Sequence, residues 1–224
     1  MRHALKAFPE LLSAGLLFFL WAEPQRFGIE WFRSGVLVML LEFFVIHASG
    51  FMAVLMYDPE TAAAKRGIQV AALAVFYLVL ISAFAWGFDA WWMLAAFAWL
   101  CVAKLQAIWT GAPPTERDRM HAIVGWALSV VVYLGAVLLT VTSDVPTLGA
   151  GPAVRDAAGF KAGSAVWESE PHRALAAAVL YFTLMGLSRP LLSRAFALPG
   201  VRTASHTAPP GAYGGDRHES RDPS

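Results

Sequence analysis

Apolar residues come in blocks along this chain, each close to the length that crosses a bilayer. Six segments stand out, at 5–22, 36–57, 68–88, 90–110, 121–142 and 174–188. In helical form about 20 apolar residues span the hydrocarbon core. Only helices and closed barrels satisfy every backbone polar group in lipid. The pattern therefore predicts an all-α, polytopic transmembrane helical bundle of about six spans. Pro9 and Glu10 interrupt the first span; the sixth is short, with a kinked extension past Pro190 open to it. Arg2, Lys6 and the apolar stretch from Leu11 to Ala22 also have the layout of a cleavable leader. A cut after Ala22 would put Leu20 where a small residue is preferred and Pro24 just beyond, so the segment is read as a retained span.

The polar stretches between blocks give the domain plan. The bundle occupies 1–198, including an outer loop at 143–172 that is rich in Gly and Ala and broken by prolines. Loops of that length without regular structure are either functional lids or disordered. Residues 199–224 form a Pro-, Gly- and Ser-rich tail expected to be disordered and cytoplasmic.

Charge supplies an orientation. With six spans and both termini cytoplasmic, the inner side receives eleven Lys and Arg residues and the outer side five, with Lys104 inside a span. That bias matches the excess of basic residues in cytoplasmic loops. Trp21, Trp31, Trp86, Trp91, Trp92 and Trp167 fall near the outer boundary and Trp109 and Trp126 near the inner one. This is the layout of an aromatic belt. A ligand-binding cluster at Trp86, Trp91 and Trp92 is the alternative.

Composition removes several classes of function. Hydrophobic residues make up 58% of the chain and charged residues 15%, against roughly 25% charged in soluble domains. The net charge of +1 gives nucleic acid no footing. Cys101 is the only cysteine, so neither an intrachain disulfide nor a cysteine-based metal or haem site can form. The expected partner is the lipid bilayer, with room for a membrane-protein partner or a homo-oligomer. The expected place is a bacterial inner (plasma) membrane, crossed several times.

The candidate chemistry lies within the second span, where Glu42 and His47 interrupt an apolar run. Ionisable groups at that depth face a bundle interior or a watery cavity and have partners. Five residues apart on a regular helix, they point about 140° away from each other. Glu42 shares its face with Ile46 and Ser49, and His47 shares one with Gly50 and Phe51. Lys104 in the fourth span is the candidate counter-charge to Glu42. The backbones are offset by on the order of 12 Å along the membrane normal, which favours a lysine that snorkels to the inner headgroups. Tyr77, Ser82, Ser129, Tyr133 and Tyr181 are the polar groups available to His47, whose simplest role is a helix-to-helix hydrogen bond.

No Glu-x-x-His pair, matched axial histidines or phosphate-binding loop occurs. No cofactor or metal is expected, and an enzyme is the less favoured class. Two function classes stay in play. One is small-solute or proton-coupled transport through the helix bundle, using Glu42, His47, Ser49 and Lys104. The other is a non-catalytic structural or accessory subunit of a membrane complex, in which the same residues hold helices together.

Overall fold

The computed structural model describes residues 2–58, 61–111, 114–161 and 165–195, with side chains described between 7 and 188. The expected tail at 199–224 lies outside the described residues. The elements are α1 (Arg2–Ala22), the one-turn α2 (Pro24–Phe27), α3 (Ile29–Met56), α4 (Ala63–Gly87), α5 (Trp92–Thr110) and α6 (Glu116–Thr142). The short α7 (Pro152–Ala157) and α8 (Val166–Ser169) and the long α9 (Pro171–Ala195) complete the chain. The fold is an all-α helical membrane bundle.

Four helices, α3 to α6, are long and apolar enough to cross a bilayer, and α1 carries a shorter apolar stretch at Ala7–Ala22. The sixth predicted segment forms the long helix α9, which is not among those four. Most helices outrun the apolar blocks that announce them. α3 begins at Ile29 rather than 36, and α6 at Glu116 rather than 121. A charged turn ends a hydrophobic run without ending a helix. At α6 the cause is explicit: Thr115 and Asp118 form a capping box that starts the helix in its polar first turn. α5 instead begins at Trp92, because the chain reverses at Asp89 with φ of 47°.

The lateral surface is apolar. Trp86 is 78% exposed, Trp99 76% and Val131 67%, and the exposed face of α4 presents Val75, Phe76 and Val79. So much exposed hydrocarbon would be an aggregation hazard in water and is the expected surface in lipid. Trp86 and Trp91 meet edge to face at 6.3 Å on this surface.

Inside, α3 is a spine shared by two cores. On one side Leu37, Phe44, Ala48 and Met52 pack with Val70, Tyr77 and Ile81 of α4 and Met93 and Phe97 of α5. On the other, Phe32, Val36, Met39 and Ile46 pack with Tyr133 and Ala136 of α6 and with the Leu175–Ala178 face of α9. Small residues on α9 let the helices approach closely. α1 covers α9, and α5 packs on α4 and more lightly on α3. The turns from α3 to α4 and from α5 to α6 define what we call the near end. The opposite, far end carries α2, α7 and α8.

Residues 143–161 and 165–170 carry the short helices α7 and α8 and pack onto the bundle. Ala150, Val154, Ala158 and Phe160 are buried in the α3–α6–α9 core. Trp21 Nε1 donates to the Pro146 carbonyl at 3.1 Å, and the Trp167 ring packs edge to face on Phe88 and Phe160. His172 is buried at the start of α9, before its apolar stretch, and burial pushes its pKa below the ordinary 6.5; Arg173 adds to that effect, while Glu170 and a hydrogen bond to the Val145 backbone oppose it. The unfolded chain therefore takes up the proton first. Stability at this end is complete above a pH of about 6.5 and falls as the pH drops below it. The thermal midpoint in detergent should decline from pH 7 to pH 5.5, and His172→Gln should flatten that decline.

Candidate functional site

α3 is α-helical throughout, so Glu42 and His47 stay on different faces. The Tyr181 hydroxyl of α9 donates to Glu42 Oε1 at 2.7 Å. His47 turns elsewhere. Its Nδ1 donates to the Phe43 carbonyl of its own helix at 2.8 Å, with the Phe43 ring 4.1 Å away. Among the described residues no hydrogen bond joins His47 to another helix, contrary to expectation, and four of the five groups available to it are engaged elsewhere. Tyr133 donates to the Met39 carbonyl at 3.1 Å, Ser129 to that of Gly125 and Ser82 to that of Val79, while Tyr181 serves Glu42.

Glu42 lines a cavity of about 360 Å³ in the near half of the bundle. α3 forms its floor with Glu42, Ile46 and Ser49, and Lys104 of α5 stands in the same wall. α6 and α9 supply the remaining walls, with Trp126 and Ser129 on α6 and Phe182 and Met185 on α9. The cavity is long, running down α3 from Glu42 to Tyr57. Lys104 and Glu42 can therefore share it despite the vertical offset expected from sequence. Two ionisable groups join them that sequence reasoning left aside, Glu10 of α1 and His121 of α6. Glu10 interrupts the first apolar span, and that breach in an apolar helix is the signal the sequence carries for it. A surface groove lined by Tyr57, Arg117, Asp118 and His121 shares Tyr57 and His121 with the cavity and leads out of it at the near end.

Comparison with family models, with curated proteins and with solved structures finds no match to this chain.

A second cavity, of about 180 Å³, lies toward the far end between α3, α6 and α9. Val36 and Met39 of α3, Val137 of α6 and Ala177 of α9 line it, and Val166, Trp167 and Arg173 close its outer side. Along every shared helix the two cavities occupy successive stretches. Tyr133, Glu42 and Tyr181 form a contacting layer at their junction. Tyr133 borders the far cavity, while Glu42 and Tyr181 border the near one. The two tyrosine rings meet edge to face at 5.8 Å, and both are buried.

Arg173 fastens the far end. Its Nη1 donates to the carbonyls of Thr140 at 2.6 Å and Ser143 at 2.7 Å, and its Nε to Glu170. These carbonyls lie at the end of α6, where the helix offers them no intrahelical partner. Among the described residues no group of three His, Cys, Asp or Glu side chains could hold a metal ion.

Gly50 shapes the near cavity from behind. A Cβ built there would lie 2.3 Å from Trp126 Nε1, so the absence of a side chain lets the indole sit against α3. Trp126 is itself part of the cavity wall. Gly50→Ala is expected to push the ring into the cavity and cost about 1–3 kcal/mol, read as a lowered thermal midpoint in detergent.

Proposed function

We propose that the chain is a membrane carrier for a small polar solute, with Glu42 exchanging a proton as the solute passes. The observation that carries this reading is the stacking of two cavities along one helix bundle, separated by a single layer containing the Glu42–Tyr181 hydrogen bond. An acid placed only to hold helices together would be packed dry; Glu42 instead has both a partner and a cavity. The excess of basic residues on the near side supports a cytoplasmic near end.

The coupling follows from hydrogen-bond strength. A carboxylate accepts from a hydroxyl roughly twice as strongly as a neutral group does. While Glu42 is ionised it holds Tyr181 in the layer. When it takes a proton the bond weakens and the layer is free to part. Ligand movement and proton movement are thereby linked, since a two-state element responds only to a differential interaction with its two states.

The test is uptake of labelled small polar solutes into proteoliposomes with an imposed pH gradient. The reading expects accumulation that collapses when a protonophore removes the gradient. A solute flux indifferent to pH on both sides would contradict the proton coupling.

A further inference from the structure

Resting on that carrier reading, we infer that the near cavity takes a small monoanion with a short apolar body, of the monocarboxylate class, its negative group on Lys104.

The cavity wall holds one lysine, and among the described residues Lys104 forms no ion pair. A half-buried ammonium gains most from a counter-charge that arrives with a ligand. Glu42 is not that counter-charge in this structure; its described bond goes to Tyr181. A cationic solute would be drawn to Glu10 and Glu42, but both acids already have partners, and it would set its charge against Lys104. A dianion would face the two acids of the wall, Glu10 and Glu42, with one lysine to answer it. A single negative charge is the best match.

Size and surface narrow the class further. The cavity of about 360 Å³ has room for on the order of ten non-hydrogen atoms. Between the polar groups its wall is apolar, with Val45 and Ile46 on α3 and Phe182 and Met185 on α9. Such a surface suits a short hydrocarbon body with its charged group turned toward α5.

The charge balance has a consequence for transport. One proton on Glu42 and one anion on Lys104 make a neutral load, so the pair crosses without net charge. Uptake should then follow the pH gradient and ignore an imposed membrane potential.

The test uses the full chain purified in detergent, with radiolabelled propionate as probe and propionamide and propylamine as neutral and cationic isosteres. Saturable propionate binding is expected, with no competition from either isostere. Lys104→Gln should weaken binding at least about tenfold, while Lys104→Arg, which keeps the charge, should stay much closer to the wild type. Both variants should elute as the wild type does in size exclusion, which separates lost binding from lost folding. Competition by propylamine, wild-type propionate affinity in Lys104→Gln, or no saturable propionate binding would each overturn the inference. Lys104-dependent propionate binding without gradient-driven flux in vesicles would leave the ligand class standing and remove the carrier reading. Proton-coupled flux of another solute, with no propionate binding, would do the reverse.

Discussion

Glu42→Gln, reconstituted at the density of the wild type, is expected to lower pH-gradient-driven uptake by about a hundredfold or more, in the range typical for loss of a proton-transferring side chain. The amide has nearly the shape of the acid, and its carbonyl can still accept from the Tyr181 hydroxyl. The fold should therefore survive with a loss of about 1 kcal/mol, the difference between a charged and a neutral acceptor. What the amide cannot do is take and release a proton, so the layer between the cavities has no switch. Glu42→Leu separates the two roles. It leaves the buried Tyr181 hydroxyl without its acceptor, at a cost of about 1–3 kcal/mol, and should depress both flux and thermal midpoint. Flux in Glu42→Gln equal to that of the wild type would remove Glu42 from the coupling step and favour the accessory-subunit reading.

Arg173→Ala is expected to be the most destabilising single change at the far end. The guanidinium joins the last turn of α6, the chain leaving it and the acid Glu170 in one fork. Its side chain is only 16% exposed, so solvent does little to replace these bonds. Hydrogen bonds to a charged donor contribute roughly 1.5–3 kcal/mol each, and they are not additive. A total loss of about 2–3 kcal/mol is the expectation, because the Thr140 and Ser143 carbonyls lose a charged donor while Glu170, 46% exposed, is solvated instead. Arg173→Lys should recover little, because a single ammonium lacks the planar fork that reaches several acceptors at once. The measurement is the thermal midpoint in detergent, together with proteolysis of the 143–170 segment, which should become faster in Arg173→Ala. An unchanged midpoint and cleavage rate would show that the packing of Phe160 and Trp167 holds this end alone.

Much of the bundle was legible in the chain. α3 to α6 announce themselves as apolar runs of spanning length, and their unpacked faces stay apolar in the folded protein. Glu42 was legible for a physical reason, since an ionisable side chain in such a run must be compensated. Helix geometry also separated it from His47. Its partner was not legible. Tyr181 lies 139 positions away, and which helices become neighbours is decided by side-chain packing across the whole bundle rather than by any local pattern. His47 shows the same limit from the other side: a central histidine looked in need of another helix, yet its own Phe43 carbonyl was within reach. The packing of 143–161 onto the bundle was hidden because only scattered residues, such as Val154 and Phe160, carry it, too few to make a periodic signal. The near cavity is lined from five helices, α1, α3, α5, α6 and α9, and a space shared among so many elements leaves no mark in hydropathy.

Thiol accessibility tests the two-cavity arrangement most directly. In a Cys101→Ala background, Ser49→Cys places a thiol in the near cavity and Val137→Cys one in the far cavity. A membrane-impermeant maleimide added from the near-end side of proteoliposomes should modify Ser49→Cys and leave Val137→Cys untouched, because the layer of Glu42, Tyr133 and Tyr181 lies between them. Ser49→Cys that reacts from neither side, or from both sides equally, would contradict the account, the first by making the cavity dry and the second by making it an open pore.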